Sequence, residues 1–210
     1  MSGAWEQQNG IDFFIGLPSV GWANITWSIT FKELIIPGSY SVGSWLGLPV
    51  DVARNRLVKD AQEAQARYLF FLDDDVMPPA DTLEVLLSNN LPIVTGLYWA
   101  KMGVPAIWRW DKAGGKYEPV TNWPRNALLP VDAAGAGCLL IDMRVFRHIP
   151  EPWFLWEVRD PRAPKGLSED FYFFKKAQEH GFTSYCDTRV RCIHQARSEL
   201  MPEGTFRLAP

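Results

Sequence analysis

Three consecutive carboxylates, Asp73, Asp74 and Asp75, follow directly on the apolar run Tyr68 to Leu72. In an extended chain alternate side chains share a face, so the spacing predicts Asp73 and Asp75 projecting together with Asp74 turned away. Two carboxylates aimed at one spot repel each other unless a cation sits between them. Oxygen ligands of this kind suit Mg²⁺ or Mn²⁺, which keep further positions for water and substrate phosphate. The plainer reading is an acidic turn that caps the next helix. A second acidic pair, Glu169 and Asp170, stands behind Ser168. Ser168 reads as an N-cap, and acids in a first helical turn are favoured by the helix dipole. A carboxylate at such a helix start can also serve as a general base. His194 follows the apolar segment Val190 to Ile193. A lone histidine is commonly a surface or core residue, but imidazole can also complete an oxygen-rich Mn²⁺ site.

The elements that must position these groups read as an α/β domain. Ile11 to Leu17 is a first buried strand, closed by Pro18 and Gly21. Ala23 to Phe31 reads as a helix, and Leu34 to Val42 as an extended segment interrupted by Pro37 and Gly38. Between Pro49 and Gln65 the apolar positions Val52, Ala53, Leu57, Ala61 and Ala64 recur at helical spacing. Arg67 to Leu72 is a continuous apolar strand of the kind buried on both faces, and it delivers the three aspartates to its carboxyl end, where open α/β sheets bind ligands. A helix from about Ala80 to Leu87 and a strand from Pro92 to Tyr98 complete a crossover unit. Pro105 to Trp110, a Gly114-Gly115 turn and Tyr117 to Val120 read as a hairpin. Val131 to Ala134 and Cys138 to Asp142 flank the turn Gly135-Ala136-Gly137. A loop from Pro150 to Lys165 leads to a helix from Ser168 to His180, stopped by Gly181. Two short strands follow, Thr183 to Cys186 and Val190 to His194, and the tail after Gln195 reads as an irregular arm.

In this order the motifs resemble the GT-A glycosyltransferases. Phe70-Phe71-Leu72-Asp73-Asp74-Asp75 looks like their strand and DxD motif. Pro92 to Tyr98, with Thr95-Gly96, resembles the following strand of a bacterial and phage subgroup similar to family 2. Gly135-Ala136-Gly137-Cys138-Leu139-Leu140-Ile141 resembles the glycine turn and strand near the donor sugar. Ser168 to Phe174, Gly181-Phe182 and Val190 to His194 resemble the acidic helix and closing histidine. The resemblance spans Ile11 to His194. It implies a Rossmann-like, mostly parallel sheet flanked by helices with a small antiparallel hairpin region: one catalytic domain over residues 1–195 and a C-terminal arm over 196–210. It implies Asp75 and His194 on a Mn²⁺ or Mg²⁺ ion, and Asp73 on that ion through water or on the donor ribose, with Asp74 beside the donor. The donor would be a nucleotide sugar, a UDP- or GDP-sugar. Asp170, or Glu169, would deprotonate the acceptor hydroxyl. Pro18 and Ser19 would border the base or ribose, Arg54 and Asn55 would lie near the nucleotide, and Gly135 and Gly137 would let the backbone approach the sugar. An exposed helix face accounts for Arg54 and Asn55 equally well.

Composition bounds these expectations. With 47% hydrophobic and 21% charged residues over 210 positions the chain can bury a core and is not disordered. A formal charge of −3 argues against a protein that holds duplex DNA through many phosphates. No stretch is long and apolar enough for a membrane span, and Met1 to Gly10 lacks the pattern of a secretory signal, so the expected setting is cytoplasmic. Cys138, Cys186 and Cys192 lack zinc-ligand spacing and read as buried thiols. Ten tryptophans are an excess. Trp99, Trp108, Trp110, Trp153 and Trp156 lie in segments that would surround an acceptor, and each can stack on a sugar or fill the core. Two other readings remain. A sugar-nucleotide-forming nucleotidyltransferase would carry a glycine-rich basic loop after its first strand, whereas Leu17 to Trp22 has one glycine and no lysine or arginine. A carbohydrate-binding protein with Ca²⁺ on its aspartates would be expected as an all-β sandwich, unlike this alternation.

Overall fold

The computed structural model describes residues 10–157 and 166–195, together with the backbone of 198–200 and 206–208. Its elements in chain order begin with β1 (Phe13–Ser19), α1 (Ile25–Glu33), β2 (Tyr40–Leu46), α2 (Val50–Glu63), β3 (Tyr68–Leu72), β4 (Val76–Met77) and α3 (Thr82–Ser88). There follow β5 (Ile93–Leu97), β6 (Ile107–Asp111), β7 (Lys116–Pro119), β8 (Leu128–Val131), β9 (Ala133–Ala134), β10 (Cys138–Asp142) and α4 (Arg144–His148). The chain closes with α5 (Glu169–Glu179), β11 (Ser184–Arg191), β12 (Ile193–His194), β13 (Ser198–Leu200) and β14 (Phe206–Leu208).

The central sheet has seven strands in the order β2-β1-β3-β10-β5-β11-β8. The pairs β2·β1, β1·β3 and β5·β11 are parallel, while β10 runs antiparallel to both its neighbours and β8 antiparallel to β11. Five of the seven strands therefore point one way. The crossover from β3 through α3 to β5 skips a position, which β10 fills from the opposite direction. β3 (YLFFL) and β10 (CLLID) are buried at every residue, so each presents apolar groups to both faces of the sheet. Leu69 and Phe71 join a core with Leu57, Val58, Ala61, Phe173, Phe174 and Ala177 from α2 and α5. Phe70 and Leu72 join a second core with Trp27 of α1 and Leu83 and Leu86 of α3. Helices thus cover both faces, the layering that a two-sided apolar strand demands.

Several sequence expectations shift. The second strand is β2, since Pro37 and Gly38 lie in the connection before it, and among the described residues β2 pairs with β1 alone. The two expected short strands near the end are a long β11, with an irregularity between Asp187 and Arg191, followed by the two-residue β12. α4 was not expected. The arm after Gln195 is not irregular throughout, because β13 pairs antiparallel with β14. The hairpin expected around Gly114-Gly115 is β6·β7, and β9 adds a third strand on the other side of β6. All three cysteines are buried free thiols.

Candidate active site

The carboxyl ends of β1, β2, β3, β5 and β11 emerge on one edge of the sheet, and the chemistry-bearing residues gather there. β3 ends at Leu72, and the backbone turns at once, with the Val76 N–H donating to the Asp73 carbonyl at 3.1 Å. That turn cancels the strand alternation expected for the aspartates. Each takes its own partner, and all three line one cavity. Asp73 accepts from the Arg54 guanidinium at 2.9 Å, Asp74 from the Ser19 hydroxyl, and Asp75 from Lys101 Nζ at 2.8 Å. The turn is held from beneath by Trp27, whose indole N–H lies 2.9 Å from the carbonyls of both Asp73 and Val76.

Chain return brings His194 to the same place. β12 pairs antiparallel with β4, setting His194 opposite Val76, and the Gln195 N–H donates to the Asp75 carbonyl at 2.8 Å. His194 Nδ1 lies 2.7 Å from the Trp99 carbonyl, a contact only an N–H can make, and this directs Nε2 to within 3.3 Å of Asp75 Oδ2. Burial resists charge on both groups. Their mutual hydrogen bond, the Trp99 carbonyl on the histidine and Lys101 on the aspartate outweigh it, so His194 titrates above and Asp75 below its ordinary value. An imidazole with its Nδ1 proton on a backbone carbonyl and its Nε2 facing a carboxylate is the donor arrangement found at metal ligands. Among the described residues no cluster of three such donors closes around a point. Asp73, one of the expected ligands, is turned to Arg54 instead.

Neither Arg54 nor Asn55 stands on an exposed helix face. Arg54 stands on α2 with its side chain only 2% exposed, and besides Asp73 it meets Glu169 at 3.5 Å and the Ala136 carbonyl at 3.4 Å. It is a buried cross-brace between the aspartate turn and α5, with no place among the residues lining the nearby cavity. Desolvation of its charge is offset by Asp73, Glu169 and Asp170, which hold its pKa above the usual value. Asn55 spends its amide on backbone, donating to the carbonyls of Asp51 and Phe154 and accepting from the N–H groups of Trp153 and Phe154. It latches the 152–154 loop to α2.

The acidic pair divides. Glu169 is buried, and desolvation with the neighbouring Asp170 charge raises it to about 7 against the pull of Arg54. Asp170 is half-buried; burial raises its pKa, while hydrogen bonds from the Ser168 hydroxyl and the Phe171 N–H pull it down. Ser168 sits at the N-cap position, but its hydroxyl serves that carboxylate and caps no backbone N–H. Two carboxylic acids of different burial on one helical turn give the site a group able to take a proton near neutrality.

Gly135 and Gly137 are required by packing. A Cβ on Gly135 would stand 2.1 Å from the Tyr98 hydroxyl, and one on Gly137 would stand 2.9 Å from Asp73 Oδ2. Tyr98 accepts from the Gly137 N–H at 3.0 Å and sets its ring edge-on to His194 at 5.3 Å. The glycine turn therefore admits the tyrosine that ties the Asp73 side of the site to the His194 side.

A cavity of about 170 Å³ opens beside the aspartates. Pro18, Val20, Leu48, Val50 and Ala53 supply its apolar walls, and Ser19 with the three aspartates supplies its polar side. Pro18 and Ser19, expected to border the base or ribose, stand in its wall. Leu48 and Val50, Trp27, Tyr98 and Lys101 were not singled out, because nothing in their local pattern marks them. The tryptophans separate as well. Trp153 is 3% exposed and donates to the Ile149 carbonyl, so it is a core residue and leaves the expected acceptor group. Trp108 is half-buried against Phe171, whereas Trp99, Trp110 and Trp156 are 54%, 43% and 42% exposed.

No family model matches the chain. Over 95% of its length it resembles A197 from STIV, at 21% identity and a TM-score of 0.62, covering 94% of that chain. Over 90% of its length it resembles GalNAc-T7, in a crystal structure with UDP, GalNAc and Mn²⁺, at 13% identity and a TM-score of 0.56. It spans 44% of that longer chain. These likenesses show a shared fold. A 49-residue stretch, 23% of the chain, is 39% identical to Bacteriocin BacSp222 of Staphylococcus pseudintermedius and covers 92% of it. More than three-quarters of the present chain has no counterpart in that peptide. Among the described residues no helix is long and apolar enough to cross a membrane.

Proposed function

We propose that the protein is a metal-dependent glycosyltransferase of the GT-A kind, moving a sugar from a nucleotide donor to an acceptor hydroxyl. The observation that carries this reading is the convergence of Asp73, Asp74 and Asp75 on an apolar-walled cavity at the carboxyl edge of the sheet, with His194 set against Asp75. The fold shared with GalNAc-T7, a protein crystallised with UDP, GalNAc and Mn²⁺, supports it.

In this reading the base lies between the walls of Pro18, Val20, Leu48 and Val50, and the ribose hydroxyls donate to the Asp73 and Asp74 carboxylates. Burial raises the Asp73 pKa, with the Asp75 and Asp74 charges adding to the rise, and Arg54 pulls against it while fixing where the carboxylate points. Asp75 and His194 Nε2 are the donors for a Mn²⁺ or Mg²⁺ ion; they fit it because His194 Nδ1 is already committed to Trp99 and the two donor atoms face each other. When bound, the ion supplies Lewis-acid neutralisation of the diphosphate. Asp170 accepts the acceptor's proton, positioned by Ser168 and the start of α5, while Glu169 braces Arg54. Trp99, Trp110 and Trp156 offer exposed rings to a glycan acceptor.

The test is calorimetry and thermal shift with nucleoside diphosphates and nucleotide sugars, with Mn²⁺ and after chelation, followed by an assay for donor hydrolysis. Metal-dependent binding and turnover that vanish in Asp75→Asn are expected. Absence of any nucleotide binding, or glycan binding that survives Asp75→Ala without nucleotide, would overturn the reading. Pyrophosphate release from a nucleoside triphosphate would point to the nucleotidyltransferase class instead.

A further inference from the structure

Lys101 is the charged group at the aspartates that the donor reading leaves without a part. It stands on a tight turn between β5 and β6, closed by hydrogen bonds from Ala100 to Val104 at 2.8 Å and from Gly103 to Ala100 at 2.9 Å. A bridge between Trp99 and Pro105 closes the base of the turn. That base is anchored in the site, since the Trp99 carbonyl is the one that orients His194. Lys101 Nζ lies 2.8 Å from Asp75 Oδ2, the same oxygen that faces His194 Nε2 at 3.3 Å. A tethered positive charge thus holds the Asp75 oxygen that faces His194 Nε2, the one a divalent ion bound by both residues would use. The lysine side chain is half exposed, so its ion pair is screened by solvent and readily broken.

An ammonium and a divalent ion on one carboxylate oxygen repel each other strongly at such distances. A lysine on a flexible four-carbon stem, with its turn fixed beside the site, has a short path to any anion bound there. Resting on the donor reading above, we propose that Lys101 holds Asp75 until the metal binds, is displaced from it by the divalent ion, and then binds the donor's diphosphate. The ammonium would act as a second cation on the diphosphate, with its specificity directed to the outer phosphate that a nucleoside monophosphate lacks.

The test uses the full chain, Lys101→Ala, Lys101→Arg as the charge-preserving variant, and Met102→Ala as a control at an exposed neighbour on the same turn. Mn²⁺ alone is titrated by calorimetry and electron paramagnetic resonance; UDP, GDP, UMP and GMP are then titrated at saturating Mn²⁺. Loss of a competing exposed ion pair should tighten Mn²⁺ alone by about twofold to fivefold in Lys101→Ala. Loss of a charge-assisted phosphate contact should weaken the diphosphate by about tenfold, leave the monophosphate within about twofold, and be restored in Lys101→Arg. Unchanged or weaker Mn²⁺ binding in Lys101→Ala, or equal losses for diphosphate and monophosphate, would overturn the proposal. Failure of the parent chain to bind any of these nucleotides would instead remove the glycosyltransferase reading on which it rests.

Discussion

The Arg54 guanidinium, almost wholly buried on α2, lies 2.9 Å from the Asp73 carboxylate at the end of β3. This one pair joins a helix of one layer to the carboxyl edge of the sheet, and through Glu169 it reaches the helix that carries Asp170. Removing the arginine leaves two carboxylates facing a low-dielectric interior with no cation. Arg54→Met should therefore cost about 3 to 5 kcal/mol of stability, the usual consequence of breaking a buried pair from one side. Chemical denaturation of the metal-free protein measures it. A loss under about 1 kcal/mol would show that solvent already neutralises Asp73.

Glu169 sets a pH dependence of opposite sign to that of an ordinary ion-paired acid. Its folded pKa of about 7 lies above the usual 4.5, so between those values the folded state binds more protons than the unfolded state. Stability contributed by the protonated group is present below the lower value and is lost as pH rises through the upper one. The melting temperature should fall across this window, and Glu169→Gln should flatten the fall. A parent curve that rises from pH 5 to pH 7.5 in step with that of Glu169→Gln would refute the assignment.

Trp27 is a structural residue whose loss should be felt in ligand binding. Its indole N–H serves two carbonyls of the aspartate turn, so Trp27→Phe keeps most of the apolar packing and removes a donor that both carbonyls share. The expected cost is about 1 to 2 kcal/mol of stability. Because the turn fixes where Asp75 points, Mn²⁺ affinity measured by titration should fall in the same variant while α1 remains folded by circular dichroism.

The fold was legible in the sequence where one pattern dominates. The run Tyr68 to Leu72 is apolar throughout, as a strand covered on both faces is, and α2 carries a helical stripe. The site was legible as a set of residue types, since Asp75, His194 and the acidic pair do lie at one edge. What local pattern could not give was direction. Strand alternation predicts Asp73 and Asp75 on one face, but the turn closed by Val76 begins one residue after Leu72, and it sends each carboxylate to a separate partner. For Arg54 an exposed helix face and a place near the nucleotide are equally good readings of the sequence, because its partners, Asp73 and Glu169, are 19 and 115 positions away. The sense of β10 was equally hidden, because Gly135-Ala136-Gly137 reads the same before a parallel or an antiparallel strand. Lys101 carries no pattern at all; only the pairing of β12 with β4, which places His194 at Asp75, gives that lysine its meaning.

The tryptophans give a prediction that separates packing from recognition. Trp153 is buried against Phe146, with its indole N–H on the Ile149 carbonyl, so Trp153→Ala should cost about 3 to 5 kcal/mol of stability through the cavity it leaves. Trp110 stands edge-on to Tyr117 with nearly half its surface exposed, and a ring held in that way has one side available for a sugar. Trp110→Ala should change stability by less than about 1 kcal/mol, as surface substitutions usually do. With a transferable acceptor in hand, the same variant should raise the acceptor KM and leave donor binding as in the parent. An acceptor KM unmoved in Trp110→Ala, Trp99→Ala and Trp156→Ala alike would remove aromatic stacking from the account of acceptor recognition and return these exposed rings to the general surface.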